Sequence, residues 1–493
     1  MRIYKTLTIL GSGLVVAACN ESLVPDYNVP TGFNHSVSAL QSEMTGAFSE
    51  TRVNIVFFHE SMEGFARTSA YFTPSEDRFV TELTGELPLD IDNFGALVWN
   101  EEYQAIKDAD SIIAVLPTLT NNGAAIPTAN IKALQGSMET WKALNYMYVL
   151  LAHDTVGIAI NNVGGPVSGN LAPIICARDA WRAIIAMLDS AQADFTAAGP
   201  KTVMGVPGSE FSALSIPPGF NAIGNTPGGW MNLVLALRGR SRVELAYAVA
   251  NGPGGTRPTP SSAGAPDLNQ LDSAITDITA SNLYSPTLNA GEAVNYNDAG
   301  VFHTFSSAAN DLSNPIFGIG GDDYALESAA QQIDTVNDQR FLAKFAPAAA
   351  LPTNITGVAS SYIYANNIGL STPIPIIRNV ELQFLLARAY LGTGSYAKAA
   401  SIVDNVRTVV GGLSSGLPLA ATDYVHVRDF LMKEMIPSLM GDNTGDQIAA
   451  IRDYGLILQD LTTWGAADLH TSQENIPKPE RDARNNHYAP VCE

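Results

Sequence analysis

The residues that most often carry catalysis are present in this chain at spacings that do not support it. Residues 59–64 read His-Glu-Ser-Met-Glu-Gly and begin like a zinc-peptidase helix, but Glu63 stands where the second histidine ligand, four positions on, is needed. Two ligands on one helical turn are thereby lost, and metal binding is not expected there. Residues 318–321, Gly-Ile-Gly-Gly, lack the strand-to-helix setting of a phosphate loop and read as a turn. Residues 441–446, Gly-Asp-Asn-Thr-Gly-Asp, alternate oxygen-bearing side chains, yet without the spacing and terminal Glu of an EF-hand loop they read as a polar turn. With 7 histidines among 48 acids, chance pairs are guaranteed, so no acid–base couple is singled out and no cofactor is implied. A different chemistry is offered at residues 65–79. There Arg67, Tyr71, Phe72, Asp77 and Arg78 crowd into a segment that follows no helical period. Aromatic faces beside a carboxylate and guanidinium groups suit a ligand that is apolar on its flat faces and rimmed with hydroxyls. The alternative is that these rings plug a loop onto the core, the part expected of Trp99 and Trp141 on their amphipathic stretches.

The elements that must position such a site are mostly helices. Apolar residues recur on a 3.6-residue period over residues 35–58, 94–116, 130–153, 177–198, 229–250 and 268–282. Residues 205–229 and 251–267 are rich in Gly and Pro and read as loops. Residues 289–375 lose the helical period and read as irregular with a few small strands. Helices return over 376–413, where Leu382, Leu385, Leu386 and Ala389 share one face, Ala399, Ile402, Val403 and Val406 share another, and Gly392 and Gly394 allow a tight turn. Two amphipathic helices so closely joined must pack antiparallel, with Tyr390, Gly394 and Ala399 placed as in tetratricopeptide hairpins. The expected architecture is mainly α, with degenerate tetratricopeptide-like helical hairpins, long inserted loops and a few short strands.

The N-terminus adds a second chemical site. Arg2 and Lys5 precede an uncharged run over 6–18, which is the layout of a secretory signal peptide. A membrane-spanning helix would need about 20 apolar residues. Val16-Ala17-Ala18-Cys19 resembles a bacterial lipobox, in which Cys19 becomes the lipidated first residue; a plain cleavage after Ala18 uses the same small side chains. Residues 1–18 are thus the expected leader, 19–34 a flexible tether, and 35–493 one helical domain made of 35–288, an irregular insert at 289–375, and a helical part at 376–493. The formal net charge is −21, and removing the leader deletes two bases and no acid. Such a surface repels nucleic acid and anionic lipid, so attachment to a membrane falls to the N-terminal lipid. Of the 3 cysteines, Cys176 and Cys492 remain, as a disulfide or as two free thiols.

Residues 373–413 also resemble a family. They are similar to the SusD/RagB-like outer-membrane lipoproteins in an Arg-x-x-Glu helix, an alanine-rich helix and an Asn-x-Val-Arg ending, with Arg378, Glu381, Asn405, Arg407 and Gly412 at the marked positions. Arg388 stands where that family usually has Glu. Trp99, Tyr103 and Ile106 fit its Trp-x-x-x-Tyr-x-x-Ile segment, Asp338 and Arg340 its Asp-x-Arg, and Pro477, Pro479, Glu480 and Asn485 its closing motif; residues 427–455 resemble it weakly. The resemblance implies a non-enzymatic, cell-surface nutrient-binding protein. It would capture oligosaccharide or peptide and deliver it to a SusC-type TonB-dependent transporter in the outer membrane. Ligand contacts would come from the region around 65–79 and from the insert, which carries Tyr296, Phe302, Phe305 and Tyr324. A lipid-anchored helical scaffold for protein–protein contacts is the alternative.

Overall fold

The computed structural model describes residues 37–456 and 473–483 except positions 54, 74, 84–86, 88, 91–96, 122–123, 161–171, 200–217, 225, 251–265, 293–297, 309–310, 317–322, 349–359, 365–368, 419, 443 and 475. The leader, the tether, the glycine cluster at 318–321, Tyr296 and Cys492 lie outside the described residues, as does most of each Gly/Pro-rich loop.

The periodic stretches are helices close to the expected limits. Helices α1 (Val37–Val53) and α2 (Ile55–Ala66) lead into strand β1 (Ser69–Tyr71) and the one-turn helix α3 (Arg78–Thr81). Helix α4 (Leu97–Val115) follows, then the ribbon of β2 (Thr120–Asn121) and β3 (Ala124–Ala125), and the long α5 (Thr128–His153). A second ribbon, β4 (Ile158–Ala159) with β5 (Ile174–Ile175), precedes α6 (Ala177–Ala198), α7 (Pro227–Ala250) and α8 (Leu268–Ala280). Helix α6 shows why the period decides: Ala180, Trp181, Ile184, Leu188, Ala191 and Phe195 form one buried stripe. Helix α8 begins where the Asp267 carboxylate accepts the backbone N–H groups of Asn269 and Gln270, satisfying two of the otherwise unpaired first-turn donors.

Hairpin packing is visible in the cross-helix bonds. Lys132 of α5 reaches Asp194 of α6 at 2.8 Å and Glu139 accepts from Ser190 at 3.2 Å, so low numbers on one helix meet high numbers on the next. Likewise Asn232 of α7 accepts from Ser281, just past α8, at 2.7 Å, while Arg242 reaches back to Gln270 at 3.0 Å.

The insert holds β6 (Gly300–His303), β7 (Asp323–Ala325), the short helices α9 (Glu327–Ala330) and α10 (Gln339–Leu342), β8 (Phe345–Pro347) and β9 (Tyr362–Tyr364). Strands β1, β7, β9 and β8 form one antiparallel sheet in that order, so the N-terminal region and the insert share a sheet. Strand β10 (Ile374–Arg378) pairs with β6. Helix α11 (Asn379–Gly392) therefore starts at Asn379, not at 376. Gly394, at φ +77, turns the chain into α12 (Tyr396–Asn405), which continues as a π-helical turn over Val406–Val410. Helices α13 (Tyr424–Leu439), α14 (Thr444–Asp453) and α15 (Lys478–Ala483) complete the described chain. A large buried cluster gathers residues from Leu40 to Ile476, Trp99 and Trp141 among them, and a small one lies behind β1 and β7. Among the described residues no helix is long and apolar enough to cross a membrane.

Candidate ligand-binding site

Helix α2 is buried on all sides except at one side chain, Phe57. It ends in a hydrogen-bonded reversal. The N–H of Thr68 bonds the carbonyl of Glu63 and the N–H of Arg67 that of Gly64, both at 3.1 Å, with Arg67 itself at φ +54. That left-handed position ordinarily goes to glycine, so a bulky residue there holds backbone strain, a feature that clusters at functional sites. The reversal delivers β1 into antiparallel register with β7, pairing Ala70 with Tyr324 and Tyr71 with Asp323.

Because side chains alternate across a strand, neighbouring Tyr71 and Phe72 part company. Phe72 is fully buried, edge-on to Tyr324 at 5.3 Å, in the small core with Ala70, Val80 and Leu326. These two rings, expected to offer faces to a ligand, instead support the sheet from behind. Tyr71 is half-buried and meets Phe79 edge-to-face at 5.0 Å; Phe79 in turn lies parallel to Phe57 at 6.5 Å. Phe57, Tyr71 and Phe79 thus form an aromatic platform with partly open faces. Phe57 and Phe79 were not singled out by sequence reasoning; the only available signal was that the ring at 79 closes the aromatic segment.

Charged groups stand at the platform's edge. Arg78 donates through Nε and a terminal nitrogen to both carboxylate oxygens of Glu76, at 2.7 and 2.6 Å, and its other terminal nitrogen lies 3.6 Å from Asp90. The hydrogen bonds from Arg78 hold the Glu76 carboxyl below its ordinary range, and Glu76 keeps the guanidinium more firmly charged. Glu82 accepts the N–H of Asp90 at 2.7 Å and is pushed up by its burial. Asp77, exposed, is the residue before α3 and makes no capping bond with its side chain. One turn along α2 from Phe57 and across the ladder from Tyr71, Glu60 and Asp323 are buried. Burial pushes both well above the carboxylate range, with repulsion from Asp323 and then Glu63 adding to it at Glu60 and repulsion from Glu63 at Asp323. Arg67, also expected at the site, is buried. Of the insert aromatics, Phe302 lies on β6, and Phe305 is buried under the Arg52 guanidinium at 5.9 Å.

Of the other motifs, the described residues Asp442, Asp446 and His59 lie in the interior. Asp442 of the 441–446 turn is buried between Arg378 at 2.9 Å and Lys344 at 2.8 Å, while Asp446 lies 3.2 Å from Arg240. His59 is buried, which lowers it to about 4.

No family model and no curated protein sequence matches this chain. Solved structures do. A SusD superfamily protein from Bacteroides thetaiotaomicron superposes with a TM-score of 0.62 at 12% identity, covering 92% of this chain and 98% of that one. Another from Bacteroides vulgatus gives 0.63 at 12%, covering 92% and 97%. A structure solved with a xylogluco-oligosaccharide gives 0.58 at 13%, covering 86% and 85%. The chain has the SusD-like fold.

Within the SusD-like fold Asp338, Arg340, Arg378 and Glu381, four of the marked sequence positions, belong to a buried charged frame. Arg378 bonds the carbonyl of Glu292 at 3.1 Å and also reaches Asp298 at 3.3 Å. Glu381 receives Arg240, which bonds the Ile376 carbonyl as well. Arg340 lies between Asp338 and Glu434, each at 2.6 Å, and Arg407 joins the same Glu434 at 2.5 Å. Arg388, where the resemblance anticipates Glu, bonds Glu244 at 2.6 Å and Asp453 at 2.5 Å. An ion pair is therefore kept at that site by two acids on the facing helices.

Proposed function

We propose that this chain is a cell-surface nutrient-binding lipoprotein, acylated at Cys19, that holds an oligosaccharide against Phe57, Tyr71 and Phe79 and passes it unchanged to a SusC-type TonB-dependent transporter. The observation that carries the reading is a partly open aromatic platform edged by a fixed Arg78–Glu76 pair, in a fold whose solved members include one determined with a xylogluco-oligosaccharide. Sugar rings present C–H faces that cover aromatic faces, and their hydroxyls bond carboxylates and guanidinium groups. A fixed ion pair loses little further freedom when a ligand arrives.

Calorimetric titration of the leaderless protein with a panel of xyloglucan, cello-, malto- and manno-oligosaccharides tests binding. At least one should bind, and Tyr71→Ala should weaken it about tenfold, the worth of covering part of one aromatic face. Flat titrations across glycans and peptides alike would instead favour a protein-binding scaffold. Delivery has its own test: solubilised outer membranes should yield the chain together with a much larger barrel protein.

A further inference from the structure

Arg78 is the one cation among the described residues between 71 and 90, and it already holds a carboxylate. Arg78 spends two of its nitrogens on Glu76 in a two-point, charge-assisted grip and turns the third toward Asp90. An acidic ligand that approached the guanidinium would meet the Glu76 and Asp90 carboxylates already beside it. The surplus charge around it is negative: Asp77 is exposed, Asp90 is partly exposed, and the described residues between 71 and 90 hold Glu76, Asp77, Glu82 and Asp90 against Arg78 alone. Arg67 does not offset them at the surface, because it is buried. The chain as a whole, at −21, adds a long-range field of the same sign.

Resting on the glycan-binding reading, we infer that this site selects uncharged oligosaccharides and turns away polyuronates and sulfated glycans. Neutral hydroxyls can donate to these carboxylates with no charge opposed to them. A uronate carboxylate or a sulfate half-ester brings a like charge to within a few ångströms of Asp77 and Asp90. Each such encounter in water lowers affinity about fivefold at low ionic strength, and the penalty repeats for successive charges along the polymer. Salt shortens its reach to roughly 8 Å at physiological strength, so discrimination is greatest in dilute buffer.

The experiment compares the neutral panel with oligogalacturonate and a heparin-derived oligosaccharide, at low and high ionic strength, on wild type and on Asp77→Asn/Asp90→Asn. Both substituted carboxylates are at the surface, and a thermal melt checks that the variant is folded. The expected result is neutral binding that changes little with salt, with anionic binding weaker by tenfold or more. In the double variant the ratio of anionic to neutral affinity should rise by about tenfold at low salt and less at high salt. Anionic glycans that bind wild type as tightly as the best neutral one, or a ratio the double variant leaves unmoved, would overturn the inference and leave glycan binding intact. Failure of every glycan, neutral and anionic, would remove both.

Discussion

A carboxyl group sealed among Ser61, His153 and Glu102 is a poor place for a charge. Glu474 is fully buried, accepts from the Ser61 hydroxyl at 2.9 Å, and lies 3.8 Å from His153 Nε2; burial pushes it up to about 8. Burial likewise raises nearby Glu102, with Glu474 adding to it. In the unfolded chain a Glu releases its proton near pH ~4.3. Between those values the folded state holds a proton that the unfolded state has lost, so stability is greatest at the acid end and declines as pH rises toward 8. Glu474→Gln keeps an acceptor for Ser61 and removes the ionisable group. Melting curves from about pH 4 to about pH 9, which bracket both values, should show the variant losing less stability than wild type and exceeding it at the alkaline end. Parallel curves would show that Glu474 is ionised in the folded protein already. Tyr71 and Phe72 show what such single-residue detail left hidden from the sequence. Both were visible as aromatics in an unhelical segment, but a strand's two-residue alternation admits only one of them to the open side. Phe57 was hidden for the opposite reason: it sits in an apolar run of helical period, where every ring reads as core.

At the scale of elements, α7, α11 and α14 are joined through one buried cation. Arg388 lies against the Tyr247 ring at 5.7 Å and bonds Glu244 of α7 and Asp453 of α14. Removing one partner of a buried ion pair is far more harmful than replacing the whole group, because the remaining charges lose their compensation. Arg388→Met should therefore cost about 3–5 kcal/mol, and Arg388→Glu, which brings three acids together, at least as much. Combining Arg388→Met with Glu244→Leu and Asp453→Leu should recover most of the loss. Urea denaturation midpoints measure all three; a single substitution without effect would mean that the cation contributes no net stability. The helices themselves were legible, since a 3.6-residue apolar period survives without knowledge of partners, as in α6. The start of α11 was not, because the apolar run before Arg378 has no period and its pairing with β6 depends on residues about 70 positions away. The charged frame was legible only as marked positions. The acids that balance Arg388 come from elsewhere in the chain, at 244 and 453, and sequence offers no distance between them.

At the scale of the whole molecule, the question is what fastens the C-terminal segment to a body folded largely before it. Besides the Ser61 bond from α2, residues 473 and 474 bond to the end of α5 and the turn after it. The Glu474 N–H bonds the carbonyl of Ala152 at 2.8 Å, and the Gln473 side chain accepts from the N–H and hydroxyl of Thr155 at 3.2 and 2.9 Å. Gly157, two residues on, passes so close to β5 that a Cβ there would stand 2.3 Å from the Ile175 carbonyl and 3.4 Å from the Cα of Cys176. Cys176, at the head of α6, is disulfide-bonded, and the other two cysteines of the chain, Cys19 and Cys492, lie outside the described residues. If Cys19 carries the lipid it has no thiol left to share, and Cys492 is then the expected partner of Cys176. The mature protein, denatured without reductant, should then react with no thiol reagent, and reduction should expose the two thiols of one bridge. Cys492→Ser should free one thiol, at Cys176, and lower the melting temperature, since a long closed loop is worth about 2–4 kcal/mol to the folded state. Cys19→Ala should leave the bridge intact and release the protein from membrane fractions. If Cys19→Ala instead exposed a thiol at Cys176, the bridge would run to the N-terminus, and neither the acylated anchor nor the capture of cargo at a membrane would stand as proposed.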